Sequence, residues 1–129
     1  MLPGAGLTNK QEFSVEGAGS VLEVTETTGT FVYDETNAAE QTAFTITIAD
    51  RSVIGSIWLD LVNVTQNTTI SVYHQIDGTN YRKFQENAWV VADDDGVLIE
   101  GVTAYRNIRV TFQCGGGGAG NVDVPYAVV

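Results

Sequence analysis

From Thr69 to Gln113 the chain reads TISVYHQIDGTNYRKFQENAWVVADDDGVLIEGVTAYRNIRVTFQ, polar and apolar residues alternating between turn signals. Side chains on a strand point to opposite faces at successive positions, so this period of two specifies half-buried sheet. Asn107–Gln113 shows it most cleanly. Ile108, Val110 and Phe112 fall on one face with Cys114 continuing the set, and Asn107, Arg109, Thr111 and Gln113 fall on the other. Ala43–Ile48 repeats the pattern, with Phe44, Ile46 and Ile48 inward. Between Ile70–Gln75 and Tyr81–Phe84 lies Asp77-Gly78, the dipeptide that supplies the positive φ of a tight hairpin loop.

The same reading gives strands at Glu12–Val15, Val21–Thr25, Thr30–Tyr33, Ala88–Val91, Val97–Glu100 and Val122–Val128. Val53–Val64 is apolar on both sides, Ile57, Leu59 and Leu61 against Trp58, Val62 and Val64, and reads as a central strand covered on both faces. At Asp34–Gln41 a short helical turn and a loop are equally compatible with the residues. About ten short strands imply an all-β, jelly-roll-like antiparallel sandwich in a single domain. At 129 residues the chain is long enough to bury a core without staples. One cysteine excludes an intrachain disulfide, and Cys114 is expected as a buried small hydrophobe.

Domain organisation follows from the ends. Residues 1–10 read as an extended N-terminal arm, 11–114 as the sandwich, 115–120 as a glycine-rich flexible hinge, and 121–129 as a C-terminal strand or arm. Pro125 lacks an amide donor, which implies an edge strand. The tail either closes the domain's own sheet or exchanges into a neighbouring subunit.

Charge and motifs narrow the function. A net charge of −10 with six Lys and Arg argues against nucleic acid, and the apolar runs are too short for a membrane-spanning helix. A soluble globular chain is expected. Met1–Gly6 has neither the basic nor the apolar region of a secretory signal, and the sequons at Asn63 and Asn67 read as strand-and-turn residues. His74 is the sole histidine, shares a face with Ile70 and Val72, and has no nucleophile motif around it. No cofactor, metal or catalytic set is expected, and the chain reads as a non-enzyme. Asp93-Asp94-Asp95-Gly96 clusters the carboxylates that calcium takes as ligands, but its spacing does not match a calcium loop, and an exposed acidic turn is expected. Trp58, Tyr73, Tyr81, Trp89 and Tyr105 would form a sugar-binding platform if they lined one exposed sheet, with Tyr73 and Tyr81 as cross-strand partners.

Tyr73, Asp77-Gly78-Thr79-Asn80-Tyr81-Arg82, Ala88-Trp89, Asp93–Ile99 and Ala104–Val110 together resemble small β-rich proteins encoded among the virion genes of tailed phages and related prokaryotic viruses. The resemblance covers about a third of the chain, Val72 to Gln113. It implies a structural building block present in many copies and carries no catalytic residues. The expectation is a capsid decoration protein of the virion that bridges coat subunits, with the major capsid protein or other virion proteins as partners and a homo-oligomeric state. Its assembly contacts are expected at Leu2, Pro3, Leu7, Val122, Val124, Pro125, Tyr126 and Val128. The alternatives are a glycan- or receptor-binding module of a tail fibre or baseplate, and a head-to-tail connector.

Overall fold

The computed structural model describes residues 26–47, 52–104 and 106–129. Eight strands run through them: β1 Thr27–Asp34, β2 Gln41–Ile46, β3 Ser52–Asp60, β4 Thr68–Gln75, β5 Tyr81–Trp89, β6 Gly96–Ala104, β7 Ile108–Gln113 and β8 Asn121–Val128. They form two four-stranded antiparallel sheets in the orders β1-β8-β3-β6 and β2-β7-β4-β5. This is a jelly-roll sandwich, in which only β4 and β5 are neighbours both in sequence and in one sheet. The strands expected at Glu12–Val15 and Val21–Thr25, with Ile48 and Tyr105, lie outside the described residues.

The hairpin forms as its sequence specifies. Gly78 sits at φ +82°, and the Asp77 carboxylate accepts the backbone N–H groups of Thr79 (2.9 Å) and Asn80 (2.8 Å). Those bonds hold the Asp77 carboxyl well below the usual carboxylate range. Tyr81–Phe84 and Ala88–Val91, read as separate strands, join in one strand, β5, which ends at Trp89 and leaves Val90 and Val91 beyond it, and a bulge opposite Val72/Tyr73 absorbs the break in alternation.

The inward set of each sheet meets in the core. Phe112 of β7 packs edge-on against Phe31 and Tyr33 of β1, with ring centroids 5.4 Å and 5.2 Å apart. Phe44 of β2 stacks on Tyr126 of β8 at 4.0 Å. Ile57, Ile70, Val72, Ile108, Val110 and Val124 fill the space between. Each fully buried aliphatic side chain contributes about 1.5–3 kcal/mol relative to an exposed one.

Two expectations are corrected, for β3 and β8, and the open alternative at Asp34–Gln41 is resolved. β3 ends at Asp60 and is covered on one face only: Ile57 and Leu59 are buried while Trp58 is half exposed, and Leu61 and Val64 are buried from the following loop. Asp34–Gln41 is a turn with no helix, closed by Asn37 N–H to Asp34 O (3.2 Å) and by Asn37 Oδ1 accepting Ala39 N–H (2.9 Å). β8 is not an edge strand, since it pairs with β1 along its length and with β3 over Tyr126–Val128.

Pro125 is tolerated in β8 for a geometric reason. Ser56 and Val129 exchange both backbone hydrogen bonds, so the two-residue alternation turns the backbone of Ala127 and Pro125 toward β3 as well. The β3–β8 ladder stops at Leu59–Tyr126, one residue short of Pro125. The missing donor lies where no acceptor waits.

The glycine run is not a hinge in this fold. Gly118 N–H donates to Glu35 O, and Glu35 N–H donates to Gly120 O, both at 3.0 Å. A Cβ on Gly118 would stand 2.4 Å from the Glu35 Cβ, so the loop can approach β1 only because that position carries no side chain. Glu35 is 1% exposed, and its carboxylate accepts Thr65 N–H (2.8 Å) and Thr65 Oγ1–H (2.7 Å).

Two substitutions check this clamp by denaturant unfolding. Gly118→Ala should cost about 1–3 kcal/mol through the forced overlap, whereas Gly120→Ala, with nothing within 4 Å of its added methyl, should stay within about 0.5 kcal/mol. Glu35→Ala strands the Thr65 donors and should cost about 1–3 kcal/mol, with Glu35→Gln milder because one acceptor remains.

Candidate functional site

The outer face of the β2-β7-β4-β5 sheet is polar, and its polar groups are largely satisfied by one another. Strand alternation brings Arg109 and Thr111 of β7 beside Tyr73 of β4 and Tyr81 and Lys83 of β5. The Glu40 carboxylate accepts the hydroxyls of Tyr73 (2.6 Å) and Thr111 (2.5 Å). The Thr111 and Tyr73 hydrogen bonds hold the Glu40 carboxyl below its usual range, and in return Glu40 pushes the Tyr73 phenol up to about 12. The Arg109 guanidinium lies 3.9 Å from the Tyr81 ring centroid and the Lys83 ammonium 5.9 Å from that of Tyr73. A shallow cleft of about 160 Å³ among Glu40, Thr42, Tyr73, Arg109 and Thr111 is what remains. The buried Arg109 Nε has no hydrogen-bond partner.

The outer face of the β1-β8-β3-β6 sheet is different in kind. Trp58 (50% exposed) and Leu98 (40%) are cross-strand partners on β3 and β6, and Val32 (55%) of β1 lies on the same face. The Trp58 indole N–H donates to its own strand's Ser56 Oγ (2.8 Å), which satisfies the polar edge and leaves an apolar ring surface half open. Next to it a groove of about 650 Å³ opens where β3 and β8 stop pairing. Thr28, Thr30, Trp58, Pro125, Tyr126 and Ala127 line it, Asp60 and Asp95 stand among its walls, and among the described residues no cation lines it.

These surfaces redistribute the residues singled out from sequence. Val124 and Val128, expected as assembly contacts, are core residues, 1% and 4% exposed, and Val122 and Tyr126 pack against the same core. Their apolar character serves the domain's own sheet. Of the expected tail contacts, Pro125 and the half-buried Tyr126 line the groove. Leu2, Pro3 and Leu7 lie outside the described residues. The aromatics do not line one sheet: Trp58 faces out from one and Tyr73 and Tyr81 from the other, while Trp89 is buried with its indole N–H on Asp94 O (2.9 Å). Tyr73 and Tyr81 are diagonal rather than opposite, Tyr73 pairing with Lys83 and Tyr81 with Gln75.

The acidic run is an exposed turn. The Asp93 carboxylate accepts Val90 N–H (3.1 Å), and the Asp95 carbonyl accepts Leu61 N–H (2.7 Å). Among the described residues no three His, Cys, Asp or Glu side chains gather as a metal site. Sequence reasoning missed Glu35 and the groove. Glu35 sits in an Asp-Glu-Thr-Asn stretch that reads as turn, and the groove exists only where two distant strands part.

His74 is 9% exposed, with its ring edge-on to Phe84 at 4.9 Å. Burial lowers its pKa below the ordinary 6.5, so the folded state resists a proton that the unfolded chain accepts. Stability should therefore be full above about pH 6.5 and decline as pH falls from there toward the folded value. Replacing this one histidine, as in His74→Phe, should flatten the denaturant midpoint between about pH 7 and 5 relative to the parent chain.

No family model and no curated protein matches the chain. Among solved structures it is similar to the crystal structure of the Yersinia pseudotuberculosis-derived mitogen, at 14% sequence identity and a TM-score of 0.47, over 84% of this chain and 87% of that one. The jelly roll rests on the sheet orders themselves.

Proposed function

We propose that this domain is a structural component of a virus particle, a capsid decoration protein that adheres to the major capsid protein or other virion proteins through the outer face of its β1-β8-β3-β6 sheet. The observation that carries the adhesive part is Trp58, half exposed in line with Leu98 and beside an apolar groove, on a domain whose core does not need it. Large apolar side chains grouped on one exposed face mark interaction surfaces, and tryptophan is prominent among residues that dominate interface energetics. The virion part rests on the resemblance of Val72–Gln113 to phage virion proteins, and jelly rolls serve widely as capsid and lectin domains. A fold by itself does not decide function, and the proposal names a site for that reason.

The mechanism is burial. A coat subunit covering Trp58, Leu98 and Val32 removes their apolar surface from water, while Asp60 and Asp95 favour a partner that brings basic groups to the rim. The opposite polar face, with its carboxylate and hydroxyl groups already bonded to each other, stays toward solvent.

Purified virus particles test this reading. The chain should appear in gels of washed virions at capsid-wide stoichiometry, and Trp58→Ala should weaken re-binding to stripped particles by about 2–4 kcal/mol, a loss of roughly 30-fold or more. A ring-like count of about six or twelve copies per particle would point to a head-to-tail connector instead, and a chain found only outside particles would sink the virion reading.

A further inference from the structure

We infer that the cleft between Glu40 and Arg109, on the outer face of the β2-β7-β4-β5 sheet, is a binding site for one neutral sugar ring. It rests on the polar groups of that face and not on an aromatic platform. Trp58 faces out from the other sheet, so the inference stands whether or not a coat protein covers that side.

The hydrogen bonds already made here leave a defined set of groups open. The hydroxyls of Tyr73 and Thr111 both donate to Glu40 Oε2, so the carboxylate keeps Oε1 as an acceptor. With their protons committed to Glu40, the two hydroxyl oxygens present only lone pairs. Across the cleft the Arg109 guanidinium can only donate. It is held 3.9 Å from the Tyr81 ring centroid, and its Nε–H meets no acceptor among the described residues. Buried polar groups in folded proteins are nearly always bonded, so an orphaned donor beside a cleft points to a ligand that completes the site.

Complementarity selects the ligand class. An anion only accepts, and it would meet Glu40 and the two lone-pair oxygens as well as Arg109. A cation would be repelled by Arg109. A hydroxyl both donates and accepts, so two hydroxyls on neighbouring ring carbons can donate to Glu40 Oε1 and accept from Arg109. Local charge is balanced too, since Lys83 pairs with Glu86 at 3.9 Å and Arg109 acts on Glu40. The Tyr73 ring in the cleft wall offers apolar surface to the C–H face of a sugar. At about 160 Å³ the cleft is below the roughly 300–1,000 Å³ of drug-sized sites, which limits it to a single ring.

The groups are in place before a ligand arrives. Arg109, Thr111 and Tyr73 lie on the two central strands, β7 and β4, with Arg109 directly opposite Tyr73 in the ladder. Strands fix side chains more precisely than loops do.

Titrating the full chain with the methyl glycosides of glucose, galactose and mannose, followed by NMR, tests the site. At least one should shift the amide signals of Tyr73, Arg109 and Thr111 and saturate on the order of mM, as expected for one small ring. Signals from Leu98 and Glu100 on the other sheet should stay where they are. Glu40→Ala and Arg109→Met should each weaken binding about 10-fold or more. Glu40 is exposed, so its variant carries the test if Arg109→Met does not fold. The uronic-acid counterpart of the sugar that binds should bind more weakly than the neutral form. No shift with any of the three neutral glycosides would overturn the inference. So would tighter binding of the uronic acid, or binding that survives Glu40→Ala unchanged.

Discussion

A single buried carboxylate organises one end of this sandwich. Glu35 leaves β1 and within its own length binds two separate pieces of chain: its side chain takes the Thr65 donors of the β3–β4 connection, and its N–H and carbonyl bond Gly120 and Gly118 of the β7–β8 loop. The Cys114 thiol lies 3.6 Å from the same carbonyl. A carboxylate removed from water is costly unless its lone pairs are met, and here the hydrogen bonds that meet them are also the bonds that fix the loops. The position of β8 follows, since the loop that delivers it is held against β1, and so does the aromatic packing of Tyr126 on Phe44.

The two outer faces show how one sheet pattern yields two surfaces. Both alternate inward apolar and outward residues, but on β7 and β4 the outward residues include Thr111 and Tyr73, whose hydroxyls both bond Glu40, and Arg109, which lies over the Tyr81 ring. On β3 and β6 they are Trp58 and Leu98, which have no polar groups to exchange between them. One face bonds its carboxylate and hydroxyls within itself, and the other gains by being covered. The groove deepens the contrast because it lies where the β3–β8 ladder stops short of Pro125.

Much of the fold was legible because strand alternation is a local property. The inward sets of Ile108-Val110-Phe112 and Phe44-Ile46, the Asp77-Gly78 loop, and the burial of Cys114 and His74 all follow from residue order. What was not legible depends on partners far away in sequence. Gly115–Gly118 reads as a hinge unless Glu35 is known to lie against Gly118. Pro125 reads as an edge marker unless the β3–β8 ladder is known to end one residue early. Trp58, Val62 and Val64 read as a second buried face because composition cannot tell a covered apolar face from an exposed one, and in the structure the three part company. The candidate surface was hidden for the same reason: it is built at the parting of β3 and β8, two strands more than sixty residues apart.

The pairing of the first and last described strands has a mechanical consequence. Thr27 stands opposite Val128 and Asp34 opposite Asn121, so the chain enters and leaves the sandwich side by side at one end of the β1–β8 ladder. A pull applied between the two ends would open that ladder one hydrogen bond at a time, the geometry of a zipper, rather than loading all of its bonds together in shear. The fold is therefore less resistant to a pull through its own two ends than to one that loads the β1–β8 ladder in shear.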